Sequence, residues 1–166
     1  PCLKRGAKGT FEEAAVESTR ECINARTRQN KLKDEAVARL EQKIFKYGLL
    51  ENQILFIRLE EDDEFPSELN GLIAMQLSQR YKKPTIVARL NPEGYVRGSI
   101  RGLANSELGS FKAYLDSTGL FEYVQGHDNA AGCSIKNSNL SNLHRISNEQ
   151  LSQYNFGEEY YEVNFE

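Results

Sequence analysis

Cysteine, histidine and long apolar runs are all scarce in these 166 residues, and each scarcity excludes something. The three cysteines, Cys2, Cys22 and Cys133, have no metal-ligand spacing. An odd and widely separated set reads as free thiols in a reducing compartment. Two histidines, His127 and His144, are too few for a histidine-based metal cluster. No apolar stretch reaches the roughly 18 residues of a membrane span, and the N-terminus lacks a signal-peptide core. A cytoplasmic location without membrane contact is the expectation. The chain begins at Pro1 rather than methionine, which reads as a fragment or a processed chain. Strong net charge is missing as well: 21 Lys and Arg stand against 24 Asp and Glu, a formal charge of -3. Bulk electrostatics therefore do not announce a nucleic-acid binder, but the charge is uneven. Residues 82–101 carry five basic side chains and one acidic, whereas 60–64 are all acidic. A local basic patch can bind phosphate on an acidic chain. The length suits one domain, or one domain with an extension.

What is present begins with a helical run. After a basic, glycine-containing lead-in over residues 1–9, Thr10 and Glu13 can form a capping box. No Pro or Gly follows until Gly48, a natural C-cap. Leu32, Ala36, Leu40 and Ile44 recur every four residues, with Val37 and Phe45 widening the stripe. The spacing predicts one long helix over 12–47, or two with a break near residues 24–30.

Beyond it the pattern becomes mixed α/β. Residues 53–59 form a short apolar run suited to a buried strand, closed by the acidic run 60–64, read as a solvated loop. Its consecutive carboxylates lack the spacing of a formed metal site. Ser67 can cap a helix over 68–82, which Pro84 halts. Strands are expected at 85–90 and 95–101, joined as a hairpin by Asn91-Pro92-Glu93-Gly94. A helix from 105 or 106 to 117, a short strand or extended segment over 120–124, extended chain over 132–135, a helix from 139 or 141 to 154 and an edge strand within 156–165 complete the reading.

Chemistry concentrates between residues 94 and 135. Arg97 and Arg101 are four apart and share a strand face, with Arg89 on the partner strand. Arginine forks match phosphate or carboxylate oxygens. Solvated arginines paired with carboxylates are the competing reading. His127 follows Gly126 and precedes Ala130 and Ala131. It can exchange a proton near neutral pH, and Asn129 offers a hydrogen bond beside it. His144 reads as a packing or surface residue. Together the arginines, the histidine and the small residues look like a floor for an anionic ligand.

Three motifs in order, Gly71-Leu-Ile-Ala-x-x-Leu-Ser-x-Arg80-Tyr81-x-x-Pro84, Arg97-Gly98-Ser99-x-Arg101 and Gly126-His127-x-x-Ala130-Ala131-Gly132, resemble the C-terminal DHHA1 domain of the DHH phosphoesterases. The likeness is nearest to the RecJ-like single-strand-specific exonucleases. It covers roughly residues 53–151, and Gln125 stands where that family has a first glycine. The resemblance implies an α/β fold, with a DHHA1-like mixed sheet packed with helices and preceded by a long N-terminal connector helix. Residues 1–50 would be extension and connector, and 51–166 the DHHA1-like substrate-binding domain.

It also implies that Arg97, Gly98, Ser99, Arg101 and Gly126 help bind substrate, and that His127 serves both binding and catalysis at the reacting phosphate. The chain holds no Asp-His-His motif. The Mn2+ or Mg2+ of the complete enzyme would therefore sit on a separate N-terminal catalytic DHH domain, the partner of this segment. No metal is expected on this segment itself. The implied parental reaction is hydrolysis of terminal phosphodiester bonds in single-stranded DNA. A DHH oligoribonuclease or nucleotide phosphatase, a noncatalytic DHHA1-type nucleic-acid-binding module, and a structural or phage-associated interaction protein remain alternatives.

Overall fold

The computed structural model describes residues 11–104 and 106–154. The lead-in, the capping box begun by Thr10 and the edge strand within 156–165 lie outside them. The chain divides into two units, residues 1–36 and 37–166. Helix α1 (Phe11–Tyr47) is continuous, with no break near residues 24–30. There Thr27 Oγ1 donates to the Ile23 carbonyl at 2.8 Å, so the hydroxyl is satisfied within the helix. The apolar stripe is shorter than the period suggests. Val37, Leu40 and Ile44 are buried, whereas Leu32 is 44% and Phe45 64% exposed. Phe45 instead meets Tyr81 edge-on, ring centroids 6.3 Å apart.

The second unit is built on five strands: β1 (Leu55–Leu59), β2 (Thr85–Leu90), β3 (Tyr95–Arg101), β4 (Phe121–His127) and β5 (Ala130–Lys136), in the order β1-β2-β3-β5-β4. β1 and β2 are parallel, joined through α2 (Asn70–Tyr81), and every other pair is antiparallel. This is the expected mixed sheet. The turn after β2 closes as its sequence demands: Asn91 Oδ1 accepts from Glu93 N at 3.0 Å and Tyr95 N at 2.9 Å. Gly94 takes φ +89°, which a side chain would resist.

Strand alternation sorts the core. Phe56, Ile86, Val96, Ile100, Cys133 and Ile135 join one cluster with Phe111 and Leu115 of α3 (Phe111–Thr118) and Leu143 of α4 (Leu140–Gln150). Leu55, Ile57, Leu59 and Val87, also buried, alternate onto the other face, where α2 packs on β2 and β3. Arg80 Nη1 and the Tyr81 hydroxyl both donate to Glu41 Oε2, at 2.5 and 2.6 Å. The Arg80-Tyr81 part of the first motif thus holds α2 to the end of α1.

Several boundaries differ from the sequence reading for local reasons. Helix α3 starts five or six residues late, at Phe111, because Gly109 takes φ +77° and Ser110 caps the helix, its Oγ accepting from Ala113 N at 3.1 Å. Helix α2 is preceded by a single 3-10 turn at Ser67–Leu69, and the Ser67 side chain makes no cap. Helix α4 ends at Gln150 rather than reaching Tyr154. β4 and β5 form a hairpin around Asp128 and Asn129, so the extended segments expected over 120–124 and 132–135 reach on through Gly126, His127, Ala130 and Ala131.

The acidic run is not simply solvated. Asp63 is buried and accepts from Lys43 Nζ at 2.7 Å and Glu60 N at 2.8 Å. Of the described cysteines, Cys133 is free and buried, its thiol pushed up to about 12 by burial against a backbone hydrogen bond at Gly98. Cys22 is disulfide-bonded, which overturns the expectation of a free thiol there.

Candidate nucleic-acid interface

Beyond the strip that α2 covers, the same sheet face carries three cross-strand rows. Register sets Arg101 beside Ala130 and Ala130 beside His127. The next row is Ser99, Gly132 and Gln125, and the third is Arg97, Ser134 and Tyr123. Cross-strand partners point to one face, so Arg97, Ser99, Arg101 and His127 lie on the same face of the sheet. His127, Gln125, Tyr123 and Arg97 are exposed. The floor between them is low: a Cβ added at Gly132 would meet only the Gly98 carbonyl, at 3.6 Å. Arg101 and His127 are two strands apart, about 10 Å, and Arg97 and Arg101 about 13 Å along β3.

Gly98 and Gly126 do not join this floor. A Cβ at Gly98 would overlap the Val87 carbonyl and Ala88, so its missing side chain serves close packing within the sheet. Gly126 takes φ +140°, and a Cβ there would lie 2.8 Å from the Ala130 oxygen and 2.9 Å from the Ala131 Cβ. That glycine sets the backbone path into His127, and Ala131 fills the space it leaves.

The two arginines differ. Arg97 lies 3.7 Å from Glu122 Oε1, donates to Ser134 Oγ at 3.3 Å, and sits 5.7 Å from the Tyr95 ring centroid. Ser134 Oγ in turn donates to Glu122 at 2.9 Å. The carboxylate-paired reading therefore holds for Arg97. Arg101 has no carboxylate partner among the described residues. Its Nη1 donates to its neighbour's carbonyl, Ile100 O, at 2.7 Å, and its Nη2 lies against the bare Cα of Gly71. Burial lowers its pKa from the ordinary value, but a guanidinium stays charged. Gly71 of the first motif and Arg101 of the second are thus one device.

The imidazole of His127 has no hydrogen-bond partner among the described residues, yet its hairpin is pinned. Asn129 Nδ2 donates to Gly109 O at 3.0 Å, Asn129 Oδ1 accepts from Phe111 N at 3.3 Å, and Asp128 O accepts from Lys112 N at 2.8 Å. Asn129 consequently serves the turn. Arg89, the register partner of Arg97, shares the face of the rows, but its guanidinium is committed elsewhere: it donates to Glu60 O at 2.8 Å and Asp63 O at 2.6 Å, holding the acidic loop. His144 packs edge-on against Phe56, ring centroids 6.2 Å apart, and burial lowers its pKa.

Glu122 and Tyr123 escaped the sequence reading. The period-two series Tyr123, Gln125, His127 was the available signal. Among the described residues no group of three or more His, Cys, Asp or Glu is placed to hold a metal ion. No described helix is long and apolar enough to cross a membrane.

No family model matches the chain. It is 36% identical over 170 residues, along its whole length, to the SPbeta prophage-derived protein YorK of Bacillus subtilis (strain 168) and to yorK of Bacillus phage SPbeta. Both are provisionally named single-strand DNA-specific exonucleases, and the chain spans 29% of their length. The structure of RecJ from Thermus thermophilus in complex with Mn2+ aligns over 86% of this chain and 20% of RecJ, with a TM-score of 0.58 and 17% identity. Its Mg2+ complex gives 0.56 and 15%, over 86% of this chain and 21% of RecJ. A further exonuclease RecJ bound to manganese gives 0.54 and 17%, over 86% of this chain and 34% of that one. The chain thus has the fold of part of RecJ and is similar in sequence to part of YorK.

Proposed function

We propose that this chain is the substrate-binding portion of a RecJ-like exonuclease that hydrolyses phosphodiester bonds in single-stranded DNA. In this reading residues 1–50 are the connector, and 51–166 are a DHHA1-type unit working opposite a catalytic DHH domain in the cytoplasm. One observation carries it. Arg101 and His127, neither paired with a carboxylate among the described residues, flank a floor of Ser99, Ala130 and Gly132 on one open sheet face. A phosphodiester fits between such groups. Arg101 supplies fixed positive charge, the Ser99 hydroxyl can donate to an oxygen, and His127 can donate a hydrogen bond as charge develops on the phosphoryl group. Gly126 and Ala131 fix the approach of His127. The divalent ions seen with RecJ would be held by ligands outside this chain.

Two measurements test the proposal. Fluorescence anisotropy with single-stranded oligonucleotides should show Arg101→Ala weakening binding about 10- to 100-fold, the scale of a charge-assisted hydrogen bond. The salt slope should fall by about 0.7 for one lost phosphate contact. In a chimera carrying this chain in place of the matching segment of YorK, His127→Ala should slow single-turnover cleavage about 10- to 1000-fold with an unchanged melting temperature. Unchanged binding by Arg101→Ala, or unchanged cleavage by a folded His127→Ala chimera, refutes the respective role. A loss of melting temperature that tracks the loss of cleavage assigns His127 to the fold instead.

A further inference from the structure

We infer that this sheet face is divided along the strands: phosphate at the Arg101–His127 end, and an unstacked base on Tyr123 at the other. The inference rests on the single-stranded DNA reading above and adds to it a site for bases. Tyr123 is 37% exposed and makes no hydrogen bond or ring contact among the described residues. It shares the face of Arg97 and Ser134, in the third row. A tyrosine held on a strand, with a ring side open to water, is a surface on which any base can stack.

The charges around it say which part of a nucleotide belongs there. The Arg97 guanidinium is 3.7 Å from Glu122 and sits over the Tyr95 ring. Glu122 thus offsets the charge of Arg97, and a phosphate entering between Arg97 and Tyr123 would meet the Glu122 carboxylate. A base is uncharged and brings N–H groups, amino or ring, that can donate to a carboxylate. At the opposite end neither Arg101 nor His127 forms an ion pair with a carboxylate among the described residues, the neighbouring Asp128 carboxylate accepting instead from Ser110 Oγ at 3.1 Å, and Gly132 and Ala130 leave room for a tetrahedral group. Tyr123 and His127 are four residues apart on β4, about 13 Å, or at most about four nucleotides at the rise of a stacked strand and fewer where bases unstack. The stacked base therefore belongs to a nucleotide inside the strand, not to the one at the reacting phosphate.

The test measures binding of this chain to a thymidine 12-mer and to an abasic 12-mer with the same phosphates, across a salt series. The wild type should bind the thymidine strand about 5- to 100-fold more tightly, the range for one stacked base. Tyr123→Ala should lose that advantage, keep its affinity for the abasic strand and keep its salt slope, whereas Tyr123→Phe should retain the advantage. Equal wild-type affinity for the two strands overturns the base site without using any variant, and leaves the phosphate reading standing. Equal weakening of both strands by Tyr123→Ala also overturns it. Failure to bind either strand removes both the base site and the reading beneath it.

Discussion

Replacing Gly71 with alanine should separate stability from binding, because the glycine serves one arginine and not the helix. Its φ lies outside the left-handed region, so the backbone accepts alanine without strain. Glycine within a helix costs about 0.5–1 kcal/mol relative to alanine. The melting temperature of Gly71→Ala should therefore hold or rise, by at most about 4 °C for a domain of this size. The cost falls elsewhere. The new Cβ would overlap Arg101 Nη2 and stand 3.2 Å from its Cζ. The guanidinium is the far end of a flexible side chain, so it swings away instead of forcing the backbone. A phosphate contact to it would weaken by part or all of a charge-assisted hydrogen bond, about 0.7–3 kcal/mol, or about 3- to 100-fold in affinity. The assay is oligonucleotide anisotropy beside thermal denaturation of the same preparations, with Arg101→Ala setting the ceiling. In Gly71→Ala/Arg101→Ala the two losses should not add, since both act through one guanidinium. Gly71→Ala binding like the wild type while Arg101→Ala binds weakly would show that Arg101 works from another position. Full additivity would show that Gly71 acts by a different route.

Three further outcomes are expected. Gly126→Ala should destabilise the chain by about 1–3 kcal/mol, because it adds a Cβ 2.8 Å from the Ala130 oxygen at φ +140°; urea denaturation reads this directly. Glu122→Gln should release Arg97 and tighten single-strand binding about 2- to 5-fold, the scale of an exposed ion pair, with a steeper salt slope in anisotropy. Asp63→Asn should lose about 1–3 kcal/mol at pH 7. Burial raises the Asp63 pKa, but the Glu60 N–H and the Lys43 ammonium outweigh it and hold the carboxyl below 3.8. A depressed folded-state pKa gives stability that is complete above the unfolded value and is lost as pH falls through the folded one. The gap between wild type and Asp63→Asn in chemical denaturation should therefore close as pH drops below 3.8. A gap that stays constant with pH would count against the ionised carboxylate.

The fold class was legible because its signals are local. Apolar β-branched runs, one proline-glycine turn and a helix without breakers mark β1 to β3, α1 and α2. Strand order was not legible. β5 lies between β3 and β4, and that depends on which edges meet, which no window of sequence states. The acidic run misled for a related reason. Five consecutive carboxylates look solvated until Lys43, fifteen residues before Arg58 whose carbonyl it also reaches, and Arg89 close on the loop from elements distant in sequence. Leu32 and Phe45 fit the helical period, yet both are exposed, Phe45 with the Tyr81 ring edge-on beside it.

The candidate site divides in the same way. Period two alone put Arg97 and Arg101 on one face, and His127 joins them because odd-numbered positions from Tyr123 onward alternate regularly. What separates the arginines is an irregularity. In an unbroken β4, Glu122 would share the face of Val124 and Gly126, away from Arg97. The register instead shifts between Phe121 and Tyr123: Phe121 pairs with Ile135 and Tyr123 with Ser134. Phe121 then turns toward the core, and both Glu122 and Tyr123 face Ser134. One extra residue thus adds a carboxylate to the face that Tyr123 already shares with Arg97, and leaves Arg101 without one. A bulge has no composition of its own, so the sequence presented two equal arginines where the fold makes two unlike ends. Removing it should make them alike: deletion of Glu122, if β4 keeps its register from Tyr123 onward, should raise phosphate affinity at Arg97 as Glu122→Gln does.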